Sequence, residues 1–174
     1  TGWSTDYGKY GGGITRVDVK ADLLEYWYDP VPGQAIAGVA ADEHWVYFTT
    51  DGFANGRQQQ EGAFHFVVMA TDGTIVHDHA FPRGTNPGRP VCWGQTVAVP
   101  LGRKLALFDP QAGRFRAEQV EVTQAPYRSW TWVVGPGALY AILDGLAFRS
   151  EPGTCRVRSA NLLGQLACAA YSPA

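Results

Sequence analysis

The sequence predicts an all-β protein built from short antiparallel strands. Turn-forming and helix-breaking residues are frequent, with 21 Gly and 11 Pro among 174 residues, and aromatic residues reach 13%. A helical bundle would need long stretches without such residues. In residues 64–81, two runs rich in β-branched and aromatic side chains flank Asp72-Gly73. This pattern is typical of a β-hairpin with a two-residue type I′ turn, and similar strand-turn-strand units recur along the chain.

The elements follow from alternation and from the positions of Pro and Gly. Ile14–Val19 alternates apolar and polar residues, as a half-buried strand does. Pro removes a backbone donor and fixes φ, so Pro100 is expected to stop the strand Gln95–Val99. The polar stretch Asp51–Gly62 predicts a long loop. The other predicted strands, besides those of the hairpin, are Leu23–Tyr28, Ala35–Ala41, His44–Thr50, Val91–Trp93, Lys104–Phe108, Phe115–Val122, Ser129–Val134, Ala138–Leu143, Leu146–Arg149, Cys155–Ala160 and Leu166–Tyr171.

Internal repeats indicate how these strands are grouped. Val17-Asp18 precedes a turn in the same way as Phe108-Asp109, and Phe64–Ala70 falls between the two copies. The repeat length is roughly 45 residues, and a repeat of that length with four short strands is typical of a β-propeller blade. The sequence therefore predicts a β-propeller-like fold of about four blades, each with four antiparallel strands.

One stretch resembles a known superfamily. Residues 105–115 read Leu-Ala-Leu-Phe-Asp-Pro-Gln-Ala-Gly-Arg-Phe. This resembles the inner-hairpin pattern of the β-propeller superfamily that includes quinoprotein-like, YVTN-type and gluconolactonase-type propellers. In those proteins an Asp and a Gly at the turn join the third and fourth strands of a blade. Residues 17–24 and 70–75 fit the same pattern more loosely. The resemblance implies an architecture and does not select a subfamily.

The blade count leaves two arrangements of a single domain over residues 1–174. In a closed small ring, Leu166–Tyr171 would supply the innermost strand of a blade whose other strands come from Thr1–Tyr28. Alternatively, the chain is part of a larger ring. An open ring would leave exposed sheet edges, which favour self-association.

The long loops are expected to lie on one face. In propellers, that face receives the loops from the second to the third strand and those from one blade to the next. The long loops here are 29–34, 51–62, 82–89 and 123–128. Arg and aromatic side chains on them suit an anionic or sugar-like ligand or a protein contact, although an ordinary solvated surface is the alternative. The candidate ligand-binding residues are Arg57, Gln58, Arg83, Asn86, Arg89, Tyr127, Arg128 and Trp130.

Two histidines share one strand face. His77 and His79 are two residues apart, and the expected hairpin places them opposite Val68 and Phe66. A His-x-His pair can hold zinc when a third ligand is present. No third ligand is identifiable, because the nearby His and Asp side chains point to the other face. We therefore expect a solvated outer strand and assign no metal-binding or catalytic residue.

Bulk properties exclude some classes of partner. The net charge of −2 does not indicate a nucleic-acid partner. No apolar run approaches the roughly 20 residues that a membrane-spanning helix needs. Cys92, Cys155 and Cys168 are expected to be buried thiols, although a disulfide between the last two is an open alternative. The sequence indicates neither a cofactor nor a compartment.

The expected function is binding. The leading hypothesis is an interaction module whose long-loop face recognises a protein, a glycan or a small ligand. By resemblance, one alternative is a metal-dependent hydrolase or lactonase of gluconolactonase type. A second alternative is a structural propeller segment that assembles with other chains. Fold alone does not select among these functions.

Overall fold

We analysed a computed structural model of the chain. It describes residues 1–102, 104–121, 130–135, 138–143, 146–150 and 157–161, with side chains described in 1–102 and 104–116. The chain divides into two compact units, Thr1–Pro90 and Val91–Ala174, and each is described by itself. The expectation of one domain over residues 1–174 stays a prediction. All regular elements in the described residues are β-strands. The described part holds no helix long and apolar enough to span a membrane.

The first unit contains two antiparallel sheets. The first sheet has the strand order β1-β2-β3, and the second has the order β4-β5-β6-β7. The strands of these sheets are β1 (Gly2–Ser4), β2 (Gly12–Asp18), β3 (Leu23–Tyr28), β4 (Ala35–Ala41), β5 (Trp45–Asp51), β6 (His65–Ala70) and β7 (Ile75–Ala80).

The second unit also contains two antiparallel sheets. The third sheet has the order β11-β10-β9-β8, the fourth has the order β12-β13-β14-β15, and β8 lies beside β12. The strands are β8 (Val91–Trp93), β9 (Thr96–Leu101), β10 (Lys104–Asp109), β11 (Arg114–Glu121), β12 (Trp130–Gly135), β13 (Ala138–Leu143), β14 (Leu146–Ser150) and β15 (Val157–Asn161). The predicted strand Leu166–Tyr171 lies outside the described residues, as do Cys155 and Cys168, whereas Cys92 is half-buried in β8.

The core of the first unit lies between its two sheets. Ile14 of the first sheet joins Phe48, Val67 and Met69 of the second in one buried cluster, with Val31 from the connecting loop. Phe48, Val67 and Met69 are fully buried. Burying each such side chain contributes roughly 1.5–3 kcal/mol, so this face-to-face contact stabilises the unit by several kcal/mol.

The first sheet corresponds to the outer three strands of the second, and β3 has the same alternating burial as the outer strand β7. β1 and β2 contact β4, and Ile14 of β2 packs with Phe48 of β5. Trp27 of β3 lies against Gly73, in the turn between β6 and β7.

The Asp18 turn joins β2 to β3 as the Asp109 turn joins the third and fourth strands of the third sheet, so β3 is the outer strand of the first sheet. In the described residues, the position without a strand is the innermost one, next to β1. The closed-ring expectation assigns it to Leu166–Tyr171, which lie outside the described residues, and stays a prediction.

The central hairpin has the expected register but a different turn. Phe66 pairs with His79 and Val68 pairs with His77, as predicted. However, Gly73 has a positive φ of 91° and Asp72 does not, so the turn is not type I′. The amide of Gly73 donates to Ala70, and the ladder shifts by one residue next to the turn. A type I turn followed by a left-handed Gly gives this arrangement.

Pro100 does not stop its strand. β9 runs through Pro100 to Leu101, and Pro100 pairs with Leu105 of β10. β9 lies between β10 and β8, and its pairing with β8 extends only as far as Ala98. The missing N–H of Pro100 therefore falls where β8 no longer extends, and Pro is tolerated at such an edge.

Three aspartates, each at or just after the end of a strand, close a tight turn by accepting hydrogen bonds from backbone amides. Asp18 accepts hydrogen bonds from the amides of Lys20 and Ala21, at 2.9 and 3.0 Å. Asp42 accepts two more from the residues two and three positions ahead of it, both at 2.8 Å. Asp109 repeats the arrangement at 3.1 Å for each bond. An Asp that mimics a backbone turn in this way explains why the motif recurs in the sequence.

Candidate functional site

A recess on the loop side of the second sheet lies between two long loops. It is about 600 Å³ in volume and is here called the loop cavity. One wall comes from the β5–β6 loop and the other from the β7–β8 loop. The cavity is lined by residues 58–62, Phe64, Arg83, Gly84 and Asn86.

Strand direction brings these two loops together. β5 and β7 run in the same direction within the second sheet, because both are antiparallel to β6. Their C-terminal ends therefore lie at the same edge of the sheet. The amide of Phe81 donates to the carbonyl of Phe64 at 2.8 Å, which extends the β6–β7 pairing to the base of the cavity.

A buried polar chain fixes the base of the first loop. The hydroxyl of Thr50 donates to the carboxamide oxygen of Gln34 at 2.5 Å, and the Gln34 amide donates to Ala63 at 3.1 Å. The backbone amide of His65 donates to Thr50 at 2.8 Å. Thr50 has no exposed surface, so these bonds are protected from water and hold the loop ends in place.

The tip of the same loop is held by the N-terminal segment. The amide of Gly8 donates to the carbonyl of Asn55 at 2.7 Å. The hydroxyl of Tyr10 donates to the carbonyl of Gln58 at 3.1 Å. The guanidinium of Arg57 lies 5.0 Å from the centre of the Tyr10 ring, a cation–π arrangement. Although the loop is long, it is therefore tied down at both its base and its tip.

The cavity wall is mainly polar. Three consecutive carboxamides, Gln58, Gln59 and Gln60, line one side, and Asn86 lines the other. Each carboxamide offers both a donor and an acceptor. Glu61 and Arg83 add one negative and one positive charge.

An apolar floor lies beneath this polar wall. Phe64 is 4% exposed, so only a small part of its ring faces the cavity. The combination provides polar groups for orienting a ligand and a limited apolar surface for contact with its carbon atoms.

A half-buried carboxyl lies where the first loop begins. Burial raises the pKa of Asp51, and the hydrogen bond from the amide of Phe53 opposes the rise. That bond is 2.9 Å long. Asp51 is not among the residues that line the cavity. The charge of its carboxyl therefore affects the conformation of the loop and does not contact a ligand in the cavity.

The structure separates the sequence-predicted site residues. Gln58, Arg83 and Asn86 come together in the loop cavity. Arg57 instead stacks on Tyr10, and Arg89 lies at a different recess. Tyr127 and Arg128 lie outside the described residues, and Trp130 is described only as a backbone position in β12.

Sequence reasoning missed four of the lining side chains: Gln59, Gln60, Glu61 and Phe64. The run of three glutamines was the available signal, because consecutive polar residues in a long loop present several hydrogen-bonding groups together. Phe64 gave no such signal, since it looked like an ordinary strand residue at the start of the hairpin.

The recess near Arg89 is lined mostly by small β4 residues. It has a volume of about 550 Å³ and includes Thr1, Gly2, residues 36–41 and Arg89. A Cβ at Gly38 would lie 2.6 Å from the Cα of Arg89, so the backbones approach closely there. Among the described residues of this lining, Arg89 carries the only charged side chain.

The histidines of β6 and β7 contact neighbouring side chains. His65 Nδ1 lies 2.6 Å from an oxygen of Asp78 on the other face of the hairpin, as its register requires. The ring of His79 meets that of Phe81 edge-on at 4.9 Å. Burial, with His77 as the next cause, lowers the pKa of His79. Within the described residues, no group of three or more His, Cys, Asp or Glu side chains is placed to hold a metal ion.

Comparisons with known proteins identify the architecture. No family model matches the chain, and no curated protein matches its sequence. Among solved structures, it is similar to a catalytically inactive variant of virginiamycin B lyase from Staphylococcus aureus with quinupristin. The TM-score is 0.64 at 14% identity, over 93% of this chain and 52% of that one. The selenomethionine-substituted lyase from the same organism gives a TM-score of 0.64 at 13% identity, over 94% and 52%.

The fold is β-propeller-like. The all-β structure, the small antiparallel sheets and these structural neighbours confirm the fold class predicted from the sequence. At this level of identity the likeness establishes the fold alone. The chain spans about half the length of the propellers that it matches.

Proposed function

We propose that this protein is a binding module whose loop cavity takes a small, hydroxyl-rich ligand of the glycan class. The observation that carries the proposal is the run of carboxamides facing Arg83 and Asn86 across the cavity. The volume of about 600 Å³ falls within the range of roughly 300–1,000 Å³ that is typical of small-ligand sites.

The chemistry of the wall favours a glycan over a protein partner. Sugar hydroxyls both donate and accept hydrogen bonds, and so do the carboxamides of Gln58, Gln60 and Asn86. Protein interfaces usually depend on aromatic anchors, whereas the one aromatic side chain among the described lining residues, Phe64, is almost fully buried. Glu61 and Arg83 carry opposite charges, so the wall as a whole suits a ligand without net charge.

Catalysis is the second candidate, because the structural neighbours are named as lyases. A lyase of this kind would be tested first on quinupristin, which is named with one of those structures. This alternative is tested by incubating the protein with quinupristin and following its conversion by liquid chromatography, which separates isomeric products that have the same mass. The gluconolactonase-type alternative is supported only by the resemblance of residues 105–115.

Saturation-transfer NMR with a panel of sugars tests the binding proposal. The panel contains glucose, galactose, mannose, N-acetylglucosamine and glucuronate. We expect transfer to at least one neutral sugar. Arg83→Ala or Asn86→Ala should weaken its binding about fivefold, since each removes a hydrogen bond worth roughly 1 kcal/mol.

Arg114→Ala is the matched control. Arg114 is an exposed arginine on β11, in the other unit, so its loss should leave sugar binding unchanged. No transfer to any sugar of the panel would reject the proposal. Equal losses from the Arg83 and Arg114 variants would reject the loop cavity as the site. Modification of quinupristin would favour the lyase alternative.

A further inference from the structure

The tip of the β5–β6 loop carries the only Asn-Gly pair of the sequence, Asn55-Gly56. Both residues are exposed to solvent. Within residues 1–102, the carboxamide of Asn55 and the backbone amide of Gly56 form no hydrogen bond. The two groups are therefore accessible to water and are not occupied by other contacts.

These two groups react with each other in a known way. The backbone nitrogen of Gly56 attacks Cγ of Asn55, so an N–Cγ bond forms, the Cγ–Nδ2 bond breaks, and the side-chain nitrogen takes up a proton and leaves as ammonia. Water then opens the resulting five-membered ring at either of its carbonyl carbons, which gives Asp or isoaspartate. A glycine in the second position leaves the attack unhindered, because it has no Cβ.

The turn at the loop tip holds the reacting atoms apart. The amide of Arg57 donates to the carbonyl of Ala54 at 3.4 Å. Gly56 has a φ of 73°, whereas the φ of Asn55 is not positive. These are the features of a type II turn, in which the nitrogen of the third residue points away from the side chain of the second. Ring closure therefore requires rotation of the peptide plane between Asn55 and Gly56.

Hydrogen bonds from the N-terminal segment oppose this rotation. The amide of Gly8 donates to the carbonyl of Asn55 at 2.7 Å, and this carbonyl belongs to the peptide plane that must rotate. The hydroxyl of Tyr10 donates to the carbonyl of Gln58 at 3.1 Å and holds the same loop nearby. The reaction thus depends on local opening of the loop tip.

We propose that Asn55 is a site of spontaneous deamidation whose rate is controlled by the N-terminal segment. The product carries a new negative charge, and isoaspartate also adds one carbon to the main chain. Both changes fall three residues before the part of the loop that lines the loop cavity. The modification is measured on the protein without a ligand, so its test is independent of the proposed sugar binding.

Peptide mapping of the full chain after incubation in mildly alkaline buffer tests this proposal. Trypsin releases residues 21–57, in which Asn55 is the only asparagine. Chromatography with mass spectrometry follows its conversion to Asp and isoaspartate. Tyr10→Phe should speed this conversion about fivefold, since the hydrogen bond that it removes is worth roughly 1 kcal/mol. Tyr26→Phe is the matched control, because Tyr26 is 70% exposed on β3, and it should react like the unmodified chain.

Asn86 provides an internal control. It is followed by Pro87, whose nitrogen carries no hydrogen, so the same ring cannot form and Asn86 should stay intact. In urea the hydrogen bonds from the N-terminal segment are lost, and all three chains should react at one faster rate. An Asn55 as stable as Asn86 would overturn the proposal. Equal rates for the folded Tyr10→Phe and Tyr26→Phe variants, or a folded chain that reacts as fast as in urea, would overturn control by the N-terminal segment.

Discussion

Asp18 and Asp109 make the same pair of hydrogen bonds in two different sheets. Each carboxylate accepts from the backbone amides two and three residues ahead, at 2.9–3.1 Å. The amides of Ala21 and Lys20 hold the pKa of Asp18 below its ordinary value. The two residues are therefore structural equivalents, and the repeat that they mark in the sequence is a repeat of turn chemistry.

Removing this carboxylate from the third sheet should weaken the β10–β11 turn. Asp109→Ala is expected to lower the free energy of unfolding by about 0.5–1 kcal/mol, because two partly exposed hydrogen bonds are lost. Asp109→Asn keeps an acceptor oxygen and should lose less. Urea unfolding of both variants measures the difference, and equal losses would contradict the proposed role of the acceptor.

The buried phenol of Tyr47 should stabilise the turn that Asp42 closes. Tyr47 is fully buried and its hydroxyl donates to Asp42 at 2.6 Å. Burial raises the pKa of Asp42, but the hydrogen bonds from Tyr47, His44 and Trp45 together lower it by more, so the net pKa lies below its ordinary value.

Tyr47→Phe is therefore expected to cost roughly 1–2 kcal/mol at pH 7. A depressed carboxyl pKa stabilises the fold above the unfolded value, and this stability is lost as the pH falls through the folded value. The cost of Tyr47→Phe should accordingly shrink in acid, as urea midpoints between pH 7 and pH 3 would show. A cost independent of pH would mean that packing, and not the hydrogen bond to Asp42, is responsible.

Gly73 should be hard to replace. It has a φ of 91°, and an added Cβ would overlap the indole of Trp27. Gly73→Ala is expected to destabilise the first unit by about 2 kcal/mol or more, from backbone strain and lost packing together. Gly62 is the matched control, because no atom lies within 4 Å of its added Cβ and its φ is not positive. Thermal unfolding compares the two, and similar losses would contradict the contact with Trp27.

Asp51 should oppose folding at neutral pH. Burial raises its pKa in the folded chain, so the folded state favours the protonated carboxyl more than the unfolded state does. The resulting penalty is present above the folded pKa and disappears as the pH falls below the unfolded one. Asp51→Asn should therefore stabilise the protein at pH 7 and have little effect near pH 3. A variant less stable at pH 7 would show that the negative charge itself is needed.

Much of the fold follows from local pattern. The register of the central hairpin was predictable because Asp72-Gly73 fixes where the strands reverse. The turn type was not predictable, since it depends on whether Asp72 adopts a positive φ. In the folded protein Trp27 packs against the turn at Gly73, and this is a tertiary contact that the local sequence does not reveal. The innermost strand of the first sheet stays a prediction, because Leu166–Tyr171, which the closed ring would place beside β1, lie outside the described residues.

The site was predictable only in part. Loop length and side-chain type pointed to Gln58, Arg83 and Asn86, which do meet in the loop cavity. The same criteria selected Arg57, and its contact with Tyr10 is a tertiary contact that no local pattern reveals. Phe64 was missed because it lies directly before β6 and looks like a strand residue in the sequence. Its ring lines the cavity only because the two loops fold around it, which is again a tertiary contact.

A crystal structure of the protein soaked with the sugar that gives the strongest NMR transfer is the most direct test of the binding proposal. We expect ordered sugar density between the 58–62 wall and Asn86, with hydroxyls within hydrogen-bond distance of Arg83. Density at another place on the surface, or a loop cavity that holds only water in the soaked crystal, would contradict the proposal.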